Sequence, residues 1–396
     1  MTALPRSTGP GRRRTGPAAA ALLAALIPAA PASAAPTPAA ADAPHPWSLR
    51  LLDTLSVPAG TDALGTPFGG LSGIDFDPRT GRYAALSDDR AERAPARFYT
   101  LDLPLDGYRF AHRQPDVTAV TTLTDQAGRP YPRRSVDPES IRWTTGGTRV
   151  VWTSEGAGAQ GQPATVTETD AASGRALREL PLPPAYRPVL DAAGRQVAGV
   201  RDNEALEGLT TTAGGSRTVT LTESALVQDG PAPTPETGSP ARLLVQDHTT
   251  GRPLAAHVYE VGRVTDTPTA PVPGTPDTYA AARGASEVLA LDATDFLVVE
   301  RTYASGLGYP IRIYWTTTRG ATDVRDRGAL TGHEHPMPKR LVFDSRTTGV
   351  NTDNVEGLTW GPRLPDGTRA LILVADDNFG LFGSATKFHL LGRWPG

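Results

Sequence analysis

Four glutamates recur along the 396-residue chain, each just ahead of a short apolar run. They stand in Asp137-Pro-Glu-Ser-Ile141, Ala205-Leu-Glu-Gly-Leu209, Gly284-Ala-Ser-Glu-Val-Leu289 and Asn354-Val-Glu-Gly-Leu358, as Glu139, Glu207, Glu287 and Glu356. A fifth segment of the same design, Gly70-Leu-Ser-Gly-Ile-Asp75, carries Ser72 in their place. A second set of acids closes the apolar runs that follow: Asp88, Asp89, Glu155, Glu223, Glu300, Asp376 and Asp377. Carboxylates brought close together repel unless they are protonated, hydrogen-bonded or held by a cation. Hard oxygen ligands favour calcium or magnesium over softer metals, and calcium is the cation expected here. The same glutamates could instead bond backbone amides of a neighbouring unit and serve as clasps, so both readings stand at this level.

The elements that must position these acids repeat with them. Successive motif residues lie 67, 68, 80 and 69 residues apart. Each motif leads into a short turn, such as Gly214-Gly215 or Pro365-Asp366-Gly367, then an apolar run ending in acid, then third and fourth runs. Asp170 to Gly174 and Asp247 to Gly251 are turn sequences, with Asp for local hydrogen bonds and Gly for positive φ. Four β-rich runs per repeat predict a four-stranded propeller blade. The fixed period argues against a pair of β-sandwiches, and the repeat is longer than a WD-type blade. The 40 residues after Glu356, with those ahead of Ser72, make one more repeat length. The fold expected is all-β, a propeller of five blades by repeat count with six as the alternative. It is closed by pairing a strand around Lys387–Leu391 with Trp47–Leu55, which protects edges an open array would expose. In such a ring the first strand of each blade lines the channel, so both sets of acids converge on one mouth.

Composition narrows the function classes. There is no cysteine, which removes disulfides, thiol nucleophiles and cysteine-held zinc. The 41 glycines and 38 prolines argue against a helix bundle. A formal charge of -3 gives no basis for nucleic-acid binding. Phosphate-binding Walker loops, dinucleotide fingerprints, His-Glu-x-x-His and Gly-x-Ser-x-Gly elbows are missing from the sequence. His333-Glu334-His335 reads as a surface loop.

The N-terminus reads as an address. Arg6, Arg12, Arg13 and Arg14 precede an apolar run from Ala18 to Ile27, and Ala32-Ser33-Ala34 offers a cleavage site. Residues 1–34 are therefore expected to be a signal peptide, by the general or the twin-arginine route, and 35–46 a disordered Pro/Ala spacer. Residues 47–396 would form a single propeller domain. Cleavage removes four arginines and no acids, taking the formal charge from -3 to -7. A secreted monomer with no membrane span in the mature chain is expected.

These motifs, with Ala375-Asp-Asp-Asn-Phe379, resemble the phytase-like propeller family, described as having esterase-like activity, over roughly residues 47–394. The resemblance implies a metal-dependent hydrolase of small-molecule esters, phosphoric esters above all. The related alkaline phytases have six blades and depend on calcium, with basic residues helping to hold the phosphate. On that reading Glu139, Glu287 and Asp376 are the catalytic candidates. Glu207, Glu356, Asp88, Glu155, Glu223 and Asp377 are the metal candidates, and Arg90, Arg301 and Lys339 the substrate-binding ones. The rival readings are a propeller that only binds a ligand or a protein partner, and a lactonase-like hydrolase.

Overall fold

The computed structural model describes residues 47–144, 146–212 and 214–395; the expected signal peptide and spacer lie outside them. Five four-stranded antiparallel sheets form five blades, not six. Their innermost strands are Leu71–Asp77, Pro138–Trp143, Leu206–Thr211, Ala281–Ala290 and Asn354–Arg363. These pack in sequence, each against the next, and the last returns to the first, which closes a ring around a central channel. The second strands, Arg82–Ser87, Arg149–Ser154, Arg217–Ala225, Asp295–Ala304 and Arg369–Asp376, run back antiparallel, so their ends lie beside the starts of the inner strands. In the last blade, Thr386–Pro395 pairs with Trp47–Val57 at the outer edge, with Lys387 opposite Ser56 and Leu391 opposite Leu51. The two ends of the described chain thus share one sheet, as the repeat arithmetic predicts.

The core lies between blades. Ile74 and Tyr83 of the first blade pack with Ile372 and Phe388 of the fifth, and Leu297 and Ile313 of the fourth pack with Leu358 and Leu373 of the fifth. Each such side chain contributes roughly 1.5–3 kcal/mol by leaving water. The fourth blade also sends a long segment, between Thr317 and Lys339, along the outer strand of the third: the Val324 and Met337 amides donate to the carbonyls of Ala256 and Val258. His333 and His335 are exposed on this segment, in agreement with the surface-loop reading.

Every inner strand is bulged at its motif. The register shifts between Leu71 and Gly73, Pro138 and Ile141, Leu206 and Gly208, Ala285 and Glu287, and Val355 and Gly357. A bulge inserts one residue and re-aims its side chain. The residues it re-aims are Ser72, Glu139, Glu207, Ser286 and Glu356. The position after the bulge abuts the next inner strand: a Cβ at Gly73 would lie 2.8 Å from the Glu139 carbonyl oxygen. Glycine holds that position in three blades, Ser140 in the second and Glu287 in the fourth. Glu287 is therefore one residue out of step with the other repeated glutamates, and a one-residue step turns a side chain elsewhere.

Candidate active site

The mouth at the start of the inner strands is a cavity of about 370 Å³. Eight carboxylates line it: Asp88, Asp137, Glu139, Glu155, Glu207, Glu223, Glu356 and Asp376. Each blade but the fourth contributes at least one of them. Arg90 and Arg301 line it as well, with Arg283, Asn354, Tyr303 and Tyr309. The bulges aim Glu139, Glu207 and Glu356 inward, and the antiparallel return brings Asp88, Glu155, Glu223 and Asp376 to the same level.

Two groups of carboxylates come close enough to share an ion. Asp88, Glu356 and Asp376 each offer an oxygen within 4.8 Å of the others, and so do Asp137, Glu139 and Glu155. Asn354 holds the first group in place, its Nδ2 donating to Glu356 Oε1 at 2.8 Å and to Asp376 Oδ2 at 3.3 Å. The Asn378 amide donates to Asp376 Oδ1 at 2.7 Å. Asp88 Oδ1 is buried with no hydrogen-bond donor. Gly70 makes room for it: its φ is +60°, and a Cβ there would lie 2.2 Å from that oxygen.

The electrostatics follow from crowding in a buried place. Burial, and then the neighbouring acids Asp376 and Glu356, push Asp88 well above the usual carboxylate range. Burial followed by the surrounding carboxylates does the same to Glu139, Glu155, Glu207 and Asp376. Glu223 and Asp137 are pushed up to about 6 by burial, against the pull of Arg301 and Arg90 respectively. Arg301 offsets part of the charge: it donates to Glu223 at 3.0 Å, to Asn354 Oδ1 at 2.8 Å and to Glu356. Arg90 stands 3.4 Å from Asp137. Arg283 is committed to Glu300, and three lining arginines against eight acids leave a site that strongly favours a cation. The donor set is all oxygen, which suits a hard divalent ion.

Ten of the twelve residues singled out from the sequence have settled positions relative to this mouth, and nine line it. Asp377 sits just behind, its Oδ1 accepting from the amides of Gly70 at 2.9 Å and Phe379 at 3.0 Å. Glu287 and Lys339 lie elsewhere, which corrects their expected placement. Glu287, out of step at its bulge, accepts from the Ser140 hydroxyl at 2.9 Å and the Leu209 amide at 2.9 Å, and pairs with Arg142 at 2.7 Å. It is the clasp among the four glutamates. Lys339, on the outer strand of the fourth blade, pairs with buried Glu300 and lies over the rings of Tyr259 and Tyr314. Against the cost of burial, Lys339 and Arg283 hold Glu300 below its ordinary pKa, so this acid serves a local pair rather than the mouth. Asp89 likewise turns aside to Arg97 at 2.7 Å.

Sequence reasoning missed Asp137, Asn354 and the pair Tyr303 and Tyr309, whose rings stand 5.1 Å apart. Asp137 was legible: it lies two residues before Glu139, and alternate strand residues share a face. Asn354 stands in the same relation to Glu356.

Fold and site together define a five-bladed β-propeller with a carboxylate-lined mouth able to hold a metal ion. The chain belongs to the phytase-like family described as "Esterase-like activity of phytase", whose model matches residues 66–379. No curated protein shows a significant match. Among solved structures it is similar to one titled "Structure of Dos1 propeller", at 8% identity over 82% of this chain and 69% of that one; with a TM-score of 0.35, the likeness carries no argument. No helix among the described residues is long and apolar enough to cross a membrane.

Proposed function

We propose that this protein is a secreted hydrolase of phosphoric esters that works at the acidic mouth with a bound divalent cation, calcium first among them. The observation that carries the reading is the triad of half-buried Asp88 with buried Glu356 and Asp376, crowded around a buried Asp88 oxygen that no donor satisfies. Family membership supports hydrolysis of an ester. The leader-like N-terminal sequence supports export.

The triad would hold the cation, which when bound supplies charge stabilisation to an ester oxygen and lowers the pKa of water. Asn354 keeps Glu356 and Asp376 aimed at one point. Arg301, fixed between Glu223 and Glu356, offsets the charge of these two carboxylates and keeps them from drifting apart. Arg90 reaches the rim on a single weak pair with Asp137, so its guanidinium can turn to a substrate phosphate. Glu139 and Glu207 face the cavity and, among the described residues, accept no hydrogen bond from neighbouring side chains or amides, so each can exchange a proton with water or a leaving oxygen there.

The test is turnover of a chromogenic phosphomonoester, a phosphodiester and a carboxylic ester, each with calcium and with chelator. Calcium-dependent cleavage of a phosphoric ester is expected. Cleavage of the carboxylic ester alone would replace the substrate class, and a calcium-loaded, folded protein that cleaves none would make the mouth a binding site.

A further inference from the structure

At the end of the channel opposite the mouth, where the inner strands finish, lies a second cavity of about 430 Å³. Its lining differs in kind from that of the mouth. Trp143, Trp360 and Leu289 supply apolar walls, Thr211 a hydroxyl, and Arg369 a cation. Small-molecule sites are typically of this size, mostly apolar and aromatic with a few polar groups. Arg142 forms part of its floor, and the buried pair of Arg142 with Glu287 stands between this cavity and the acidic mouth.

Arg369 is the unsatisfied member. Its guanidinium stacks on the Trp360 ring at 4.7 Å, and among the described residues it has no carboxylate partner and no hydrogen-bond acceptor. The acids nearby are already committed. Asp75 accepts from the Trp143 amide at 2.8 Å and the Thr359 hydroxyl at 2.9 Å, and Asp77 pairs with Arg79 at 2.9 Å. Half-burial, and then the charge of Arg363, weaken the hold of Arg369 on its proton against the pull of Asp75. A guanidinium presents a planar fork matched to a carboxylate, and it stacks on aromatic faces.

We propose that this far-end cavity binds a small planar aromatic carboxylate, with its ring against the tryptophan walls and its carboxylate on Arg369. The site is separate from the mouth and needs no metal, so it stands whether or not the mouth hydrolyses esters.

The probe is 1-naphthoate, titrated calorimetrically into the full chain in chelator, where the acidic mouth repels anions; 1-naphthalenemethanol is the uncharged control. Saturable binding of 1-naphthoate to one site per chain is expected, with weaker binding of the alcohol. Arg369→Gln should weaken naphthoate by about tenfold or more, the effect of losing a hydrogen bond to a charged group, and leave the alcohol unchanged. Thr211→Trp, which fills the cavity from a strand end, should abolish both and serves where Arg369→Gln does not fold. Wild-type protein that takes up no naphthoate, or naphthoate binding indifferent to these substitutions, overturns the proposal.

Discussion

Arg142 of the second blade and Glu287 of the fourth meet at 2.7 Å inside the channel, and between them they reach all five inner strands. Arg142 donates to the carbonyls of Ile74, Val288 and Leu358, and Glu287 accepts from Ser140 and the Leu209 amide. Burial pushes Glu287 up to about 7 even with Arg142 beside it. Removing one partner of a buried pair typically costs about 3–5 kcal/mol. Arg142→Met should therefore destabilise the ring by an amount in that range at pH 8. At pH 5 the stranded carboxyl can take a proton, and the loss should be smaller. Urea unfolding at the two pH values checks this; an equal, small loss at both would mean the pair is not what ties the blades together.

The pH dependence of the metal-free protein has a definite sign. Glu223 and Asp137 rise from 4.5 and 3.8 to about 6, and Glu287 from 4.5 to about 7. A carboxyl whose pKa is raised by folding binds its proton more tightly in the native state. Its contribution is greatest below the unfolded pKa and is lost as pH climbs through the folded one. In chelator, the melting temperature should fall between about pH 4 and pH 7. Calcium should reverse the trend at pH 7.5 and matter little at pH 4.5, because it competes with the protons. A melting temperature in chelator that rises over this interval would contradict the crowding described for the mouth.

Substituting the triad separates metal holding from folding. Asp376→Asn and Glu356→Gln keep shape while removing charge. They should blunt the calcium-induced rise in melting temperature, which follows from binding to the native state alone. Glu139→Gln should spare that rise, yet lower turnover by roughly 100- to 10,000-fold if it moves a proton in the reaction. Scanning calorimetry and steady-state rates on the same preparations distinguish the two behaviours. A calcium response unaffected in Asp376→Asn would move the cation to the second carboxylate group.

Gly70→Ala is a sharper probe of Asp88. The new Cβ would meet Asp88 Oδ1 at 2.2 Å, in a backbone conformation that L side chains rarely adopt. Calcium affinity should drop far more than for Gly81→Ala, where φ is also positive (+77°) but no atom stands within 4 Å. Titrating calcium against the melting temperature of both variants makes the comparison, and matching affinities would show that Asp88 is not a ligand.

Closure of the ring rests on Trp47–Val57. Deleting residues 35–56 removes almost all of that strand and bares the edge of Thr386–Pro395. The truncated chain should aggregate or melt well below the full-length protein, as exposed edges pair indiscriminately. Unchanged solubility and melting would show that the edge needs no cover.

Most of the architecture was legible because the repeat carries its own register. Of the acids expected to close the second strands, Asp88, Glu155, Glu223, Glu300 and Asp376 each lie within or one residue beyond an observed strand. The closure was legible too, since the two ends sum to one blade. The site was legible only where chemistry and register agree. Glu139, Glu207 and Glu356 share the bulge position and reach the mouth together. Glu287 looked equivalent by composition, but in its blade the bulge falls on Ser286, whose hydroxyl donates to the Val355 carbonyl at 3.0 Å. A slip of one residue is invisible to spacing when repeats vary in length by ten or more. Lys339 failed for a different reason: its partner Glu300 lies two strands inward in the same sheet, a pairing that no local pattern in the sequence marks.

The shared last blade also dictates a timetable. Residues 47–57 leave the ribosome early, yet the strand they need, 386–395, is made only after all four other blades. Until then the fifth sheet lacks its two outer strands, and the ring has no closing pair. A nascent chain therefore has neither a completed carboxylate mouth nor a closed ring. The position of a single edge strand thus makes ring closure the last event of synthesis.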